Sequence, residues 1–261
     1  MGQIPIALQL YSIREDCARD LEGSIKAVAD MGYEGVEFAG YYERGADELK
    51  GLCDAYSLQI VGTHIGLDAL LGDALAETVA FNKALDNRYL IVAGLAAERR
   101  GSRAAWMATA EIFNEIAMRL TAHDMQTGYH NHHIEFQEMD GELPWDTFFG
   151  HTQKDVVMQL DTGNMYHGGA EPVGFLEKYP GRAQLVHLKE HSSTNDQALI
   201  GEGEVEWARV FEVCEKSGAT EWYIVEQESY ALAPLECVDR CLQNIKQMGQ
   251  IKRPSPHERP G

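Results

Sequence analysis

Positive charge is scarce in this chain. Against 41 Asp and Glu there are 22 Lys and Arg in 261 residues, a formal charge of −19, and such a surface repels both the phosphate backbone of nucleic acid and anionic lipid. Neither nucleic acid nor a membrane is expected as a partner. Cysteine is sparse as well: Cys17, Cys53, Cys214, Cys237 and Cys241 are odd in number and show no Cys-x-x-Cys spacing. That argues against a disulfide framework or a zinc ribbon and fits reduced thiols in a cytoplasm. No apolar run has the length of a membrane span, and "IPIALQLYSIRED" near the start has neither a basic segment nor the apolar core of a secretory signal. The expectation is a soluble, unprocessed, cytoplasmic protein. No linker rich in Pro, Gly or Ser divides it, and no low-complexity stretch precedes the tail "KRPSPHERPG".

What the chain does have is a rhythm. Eight short apolar runs recur, "IPIALQLY", "YEGVEFA", "LQIVGTHI", "RYLIVAG", "MQTGYHNH", "VVMQLDTG", "AQLVHLKE" and "EWYIVEQE", each followed by a segment of helical period. In "DLEGSIKAVADMGY", Leu21, Ile25 and Val28 share one helix face and Gly32 stands where a left-handed stop belongs. The stretch Arg103 to His123 carries Ile112, Ile116, Met118 and Leu120, and Pro234 to Met248 carries Leu235, Val238, Leu242 and Ile245, so both read as helices packed on a sheet. Strands alternating with helices imply parallel pairing. Eight such units match a single-domain TIM (β/α)8 barrel over residues 1–250, with a flexible C-terminal tail at 251–261 and a doubly wound open sheet as the rival.

In a barrel of this kind the chemistry stands at the C-terminal ends of the strands, on the βα-loops. The runs end on Tyr11, Glu37, His64, the stretch His130 to Glu135, Asp161, His187 with Lys189, and Glu226 with Glu228. Folding requires none of these groups, and strand interiors seldom carry acids without partners. Asp161, His187 and Glu226 end three consecutive strands and face one volume. Two carboxylates so close raise each other's pKa unless a cation lies between them. One divalent metal ion resolves the conflict. Mixed carboxylate and imidazole ligands suit Mn²⁺, Mg²⁺, Co²⁺ or Zn²⁺, with Mn²⁺ placed first, and the lack of a thiolate weakens a closed structural zinc site.

The runs "ALQLYSIRED", "GYEGVEF", "YHNHHIEF", "LDTGNM", "VHLKE", "IGEGEVEW" and "YIVEQE" together resemble the sugar phosphate isomerase/epimerase superfamily, the xylose-isomerase-like barrels, over residues 4 to 248. The resemblance implies an acidic ligand after the fifth strand, Asp161 after the sixth, His187 after the seventh and Glu226 after the eighth. At the fifth strand the sequence departs from many relatives, which carry Glu about where His130 stands; the nearest Glu here is Glu135. The "YHNH" form is similar to the inosose dehydratase and keto-glycoside-processing branch. Glu135 is taken as the fourth ligand, with His130 as the alternative, and His132 is set facing the substrate.

The implied chemistry is proton abstraction beside a metal-polarised carbonyl of a keto sugar or cyclitol. Reprotonation gives an isomerase or epimerase, which is the expected activity; loss of a β-substituent from the same enediolate gives a lyase or dehydratase, which is the alternative. His132 or Glu226 is the candidate base, and Lys189, two residues past His187 and so on the same strand face, the partner of the developing oxyanion. Glu37, His64 and His130 are candidate substrate contacts. Asn164 joins them, standing where some relatives carry a histidine, which argues for one metal ion. Tyr11, Tyr41, Tyr42 and Trp145 are the loop side chains that would tune substrate choice. "IGEGEVEW" has two glycines around a Glu but no Gly-Lys, so it reads as a turn into a helix starting at Glu206 or Trp207 and not as a phosphate loop. A small sugar or cyclitol is the expected partner, and a homodimer is the assembly that analogy offers. Two competing readings are an apurinic-site endonuclease, which needs a trinuclear zinc cluster and a basic groove, and a barrel that has lost its chemistry.

Overall fold

All eight apolar runs become strands that pair in parallel and in chain order until the last returns to the first. The computed structural model describes residues 4–251. In it β1 (Ile6–Gln9), β2 (Gly35–Ala39), β3 (Gln59–Ile65), β4 (Tyr89–Val92), β5 (Gln126–His130), β6 (Val157–Asp161), β7 (Leu185–Leu188) and β8 (Trp222–Val225) form a closed barrel. Pairing of Ile6 with Tyr223 and Leu8 with Val225 closes it and excludes the open sheet. The tail, apart from its first residue, lies outside the described residues.

Helices α1 (Arg14–Arg19), α2 (Leu21–Met31), α3 (Ala46–Ala55), α4 (Ala74–Ala84), α5 (Ala97–Arg100) and α6 (Arg103–Thr121) cover the first half of the barrel. Helices α7 (Pro144–His151), α8 (Thr162–His167), α9 (Pro172–Lys178), α10 (Trp207–Val213) and α11 (Pro234–Ile251) cover the second. The α2 face is as the spacing predicts, with Leu21, Ile25 and Val28 buried and Gly32 left-handed at φ 93°. On α6 the packed face is Trp106, Ala110, Phe113, Ile116, Ala117 and Leu120. Met118, expected among them, is 64% exposed. Two residues turn a helix by about 200°, so Met118 cannot share a face with Ile116. All five cysteines are unpaired and buried. No helix among the described residues is long and apolar enough to cross a membrane.

The period of two along each strand divides the barrel interior into storeys. Ala7, Val61, Tyr89, Ile91, Val157, Leu185 and Ile224 form an apolar floor toward the strand starts. Above it, two residues on along their strands, stand Gln9, Gln159, His187 and Glu226, joined by Glu37, His64 and His130 in one hydrogen-bonded layer. Between β2 and β3 the register shifts: Val36 pairs with Ile60 but Glu37 with Gly62, so β3 carries an extra residue. The bulge sets bare backbone against Glu37. A Cβ on Gly62 would lie 2.5 Å from Glu37 Oε1.

Two charged side chains tie down the segments that frame this layer. Arg182, 4% exposed, donates to the carbonyls of Phe149 (2.9 Å), Gln153 (2.8 Å) and Val156 (2.8 Å) and to Thr152 Oγ1 (2.7 Å), stitching the end of α7 to the start of β6. Burial pulls its pKa down to about 10 against the opposing influence of Tyr179 and Asp155. After β7, the carboxylate of Glu190 accepts four N–H bonds, from His191 N (2.9 Å), Val205 N (3.2 Å), Gly201 N (2.6 Å) and Trp207 Nε1 (2.8 Å). The "IGEGEVEW" segment is therefore folded around an internal carboxylate, and α10 begins at Trp207. At Gly203 a Cβ would fall 2.2 Å from the His191 carbonyl and 2.6 Å from Glu190 Oε1, so that position admits no side chain.

Arg182→Met should lower stability by about 3 kcal/mol, since several buried acceptors lose their donor at once; denaturant unfolding with an unchanged m-value checks it, and a shift below 1 kcal/mol (about the value of one ordinary hydrogen bond) would contradict it. Glu190→Ala should leave the barrel's melting temperature nearly unchanged but open the 191–206 loop to limited proteolysis, with Gly203→Ala giving the same cleavage. A loop that stays resistant in both variants would show that the carboxylate is not its anchor.

Candidate metal and substrate site

The strand ends converge as the sequence predicts for Asp161, His187 and Glu226, and His130 joins them. One ligand atom from each of His130, Asp161, His187 and Glu226 lies within 4.8 Å of the others, and all four residues are buried. His64, His130 and His187 form a second, overlapping group of the same kind. His187 Nδ1 stands 2.5 Å from Glu226 Oε2, and its Nε2 stands 2.7 Å from Glu37 Oε2. His130 Nε2 is 4.0 Å from Glu226 Oε2. Asp161 caps α8: its Oδ1 accepts from Asn164 N at 2.7 Å. Its Oδ2 is buried with no hydrogen-bond partner.

That orphaned oxygen tests whether the donors fit a cation. A buried carboxylate oxygen without a donor costs free energy that a positive ion removes. Two carboxylates and two imidazoles around one volume, with no thiolate, are the donor set of a divalent ion such as Mn²⁺, Mg²⁺, Co²⁺ or Zn²⁺. The residues fit.

Glu135 does not belong to this group. Its side chain is fully buried, Oε1 accepting from the Tyr129 hydroxyl (2.6 Å) and Oε2 from His132 N (2.9 Å). Tyr129 alternates with His130 and so faces the helices, where it packs against Trp106, Phe113, Trp145 and Phe148. The acid that bonds Tyr129 is drawn to that side of the sheet, away from the ligand group. From the fifth strand it is His130 whose ring reaches the group. Asn131 serves the neighbouring strand: its Oδ1 accepts from Asp161 N (2.7 Å) and its Nδ2 donates to the Asp161 carbonyl (3.1 Å). This stretch is therefore one wall of the site: His130 turns into the ligand group, His132 and His133 line the cavity beside it, and Tyr129, Glu135 and Phe136 pack on the outer side.

The charges follow from burial and neighbours. Burial pushes the Asp161 carboxyl up to about 7 against the pull of Lys189. Burial opposes charge on His187, but Glu37 and Glu226 on its two nitrogens outweigh that and raise it to about 10. Burial disfavours ionised Glu37 and Glu226 too, yet His64 and His187 hold Glu37, and Lys189 and His187 hold Glu226, well below the usual carboxylate range. His130 is driven down by burial and then by the charge on His187, and His132 is lowered mainly by burial. Without an ion, a protonated His187 thus carries the positive charge that the acids require.

Beside the cluster opens a cavity of about 390 Å³, lined among others by His132, Asn164, Lys189, Glu190, Asn195 and Glu228. Lys189 crosses its floor, in contact with Glu228, 3.2 Å from Asn164 Oδ1 and 3.8 Å from Glu226 Oε1. Of the expected substrate contacts, Asn164 lines this cavity and His64 is partly exposed, whereas Glu37 is enclosed at 0% exposure with both oxygens taken by protein donors. Trp145 is buried in the aromatic cluster behind β5, Tyr41 packs on Phe81 and Tyr42 on Phe38, so of the four aromatic residues only Tyr11 stands exposed. Gln9 and Gln159 are site residues that the strand ends did not include, and Asn131 lay within the His130 to Glu135 stretch without a role assigned to it. A signal existed for Gln159: it lies two residues before Asp161, and a period of two turns it into the barrel.

The likeness to known proteins agrees with the fold. The chain is 24% identical over 271 residues to the inosose dehydratase of Histophilus somni strain 129Pt, covering 88% of this chain and 90% of that one. A solved sugar phosphate isomerase/epimerase from Parabacteroides distasonis ATCC 8503 superposes with a TM-score of 0.82 at 22% identity, over 97% of this chain and 99% of that one. An L-ribulose 3-epimerase structure gives 0.71 at 15% identity, over 99% of this chain and 100% of that one. A family model described as the xylose isomerase-like TIM barrel matches residues 25–248, and the chain belongs to that family.

Proposed function

We propose that this barrel is a divalent-metal enzyme that abstracts a proton beside the carbonyl of a keto sugar or cyclitol and completes the reaction by eliminating water. The observation that carries this reading is the pairing, in one cavity next to the ligand group, of an accessible imidazole, His132, with a half-buried ammonium, Lys189, that Glu226 and Glu228 hold in place. His130, Asp161, His187 and Glu226 would hold the ion, with Mn²⁺ first and Mg²⁺, Co²⁺ or Zn²⁺ as alternatives. When bound, the ion would supply Lewis acidity toward the carbonyl oxygen and so acidify the neighbouring C–H.

His132 takes the proton from the carbon next to the carbonyl, and the electron pair moves onto the carbonyl oxygen. Lys189, its charge secured by Glu226, Asp161 and Glu228 around it, stabilises that developing oxyanion. The pair then returns to expel the β-hydroxyl, which leaves as water with the proton that His132 carries. The substrate loses one water and His132 ends as it began. Asn164 and Glu228 on the same cavity wall supply a donor and an acceptor for the remaining hydroxyls.

Simple epimerisation is the second reading, through the same first step. It requires a proton taken from one face and returned to the other, hence two bases on opposite sides. Glu226 would be the second base, but it is engaged with His187 and Lys189, while Glu135 is bound to Tyr129 on the far side of the sheet. With both of those carboxylates engaged, elimination is the first reading, and the inosose dehydratase relative supports it. Among the lining residues named, Lys189 is the one cation and is already paired, which favours a neutral polyol over a phosphorylated sugar.

With Mn²⁺ present, an inosose or a related keto polyol should exchange the hydrogen beside its carbonyl with D₂O and release a dehydrated product, both followed by NMR. His132→Ala should slow both by about 10²-fold or more, and chelation of the metal should stop both. Exchange without water loss would establish the epimerase reading. Absence of exchange across a panel of keto sugars and inososes would refute proton abstraction.

A further inference from the structure

We infer that Glu37 is a positioning residue that sets the orientation of both histidines in the ligand group. The inference rests on the metal reading above and gives Glu37 a different place from the substrate contact that the sequence suggests. An ionised carboxylate only accepts hydrogen bonds. Each group against it must therefore donate, and the direction of every bond beyond is fixed in turn.

On one side, Glu37 Oε2 accepts from His187 Nε2 at 2.7 Å. That nitrogen carries its hydrogen toward Glu37, which leaves Nδ1 directed at the ligand group, where Glu226 Oε2 now stands 2.5 Å away. On the other side, Glu37 Oε1 accepts from Gln159 Nε2 at 2.6 Å. The amide of Gln159 is thereby turned so that its oxygen faces His64 Nε2 (2.6 Å) and His130 Nδ1 (3.1 Å). An amide oxygen is an acceptor, so His130 Nδ1 carries the hydrogen, and Nε2 of His130 is presented toward Glu226. Gln9 Nε2, 2.7 Å from Oε2, completes the shell and holds the carboxylate in place. Histidine ligands are commonly oriented by such an acceptor behind them; here one carboxylate orients two, one directly and one through an amide.

The fold makes room for this group. Glu37 is 0% exposed, the bulge in β3 brings Gly62 opposite it, and the missing side chain at Gly62 is the space that Oε1 occupies. A buried acid is costly unless fully paired, and each of its partners leads to a histidine of the cluster or braces the acid itself.

The test is calorimetric titration of metal-free protein with Co²⁺, read beside the visible spectrum of the Co²⁺ form. Wild type should bind one equivalent. Glu37→Gln, with one oxygen to serve two sets of donors, should bind about 10- to 100-fold more weakly and show displaced Co²⁺ bands, with an unchanged circular dichroism spectrum. Wild-type affinity and spectrum in that variant would overturn the inference while leaving the metal reading standing. Wild type that binds no ion would overturn both. A second measurement needs no variant: in the long-range ¹H–¹⁵N spectrum of Zn²⁺-loaded wild type, His130 should be protonated at Nδ1 and His187 at Nε2, and the opposite tautomer of either would refute the assignment even if Glu37→Gln does not fold.

Discussion

The site is governed by the need to place positive charge among Glu37, Asp161 and Glu226, three acids buried in the mouth of one barrel. Ionised carboxylates in such surroundings repel each other and lose their hydration. In the metal-free chain the imidazolium of His187, gripped from both sides by Glu37 and Glu226, and the ammonium of Lys189 provide the balance. Asp161 is the acid left over: burial raises it to about 7, and its Oδ2 is without a donor. The place that lacks a partner is thus the place where a further cation would sit. The surrounding bonds, from Asn131 to the Asp161 backbone and from Gln159 to Glu37, keep these groups together while the charge is supplied.

The barrel makes this arrangement possible by keeping its polar layer off the surface that folding depends on. The apolar floor from Ala7 to Ile224 closes the barrel below, and the helices bury the outward faces of the strands. The layer above is then held by directional bonds on a rigid cage. The loop after β7 extends the same logic outward. Glu190 gathers four N–H groups, and the segment it organises carries His191 and Asn195 onto the cavity wall beside Lys189. The acid of "VHLKE" is thus an anchor.

Legibility in the sequence followed the strength of the physical signal. The eight strands were readable because parallel strands buried on both faces leave continuous apolar runs, and Asp161, His187 and Glu226 were readable because they end three such runs. Glu135 misled because an acid near a strand end was weighed by type and position in the chain, while the side of the sheet it reaches is decided by Tyr129, its partner. Met118 failed for a similar reason, an apolar residue counted without its angle on the helix. Glu37 was found but its enclosure was not, since nothing local in "GVEFA" shows that a bulge on the next strand will leave room for it. Gln159 could have been anticipated from its parity with Asp161. The pairing of its amide with Glu37 depends on residues 122 apart in the chain and becomes visible only once the barrel is closed.

The central claim is that His130 takes the fifth-strand place in the ligand group and Glu135 does not. X-ray absorption spectroscopy of the Mn²⁺-loaded protein addresses it directly, because imidazole rings give multiple-scattering features that carboxylates lack. The account predicts a first shell containing two imidazoles and two carboxylates, reduced to one imidazole in His130→Ala and unchanged in Glu135→Gln. A wild-type shell with a single imidazole, or one that loses a carboxylate when Glu135 is replaced, would contradict it.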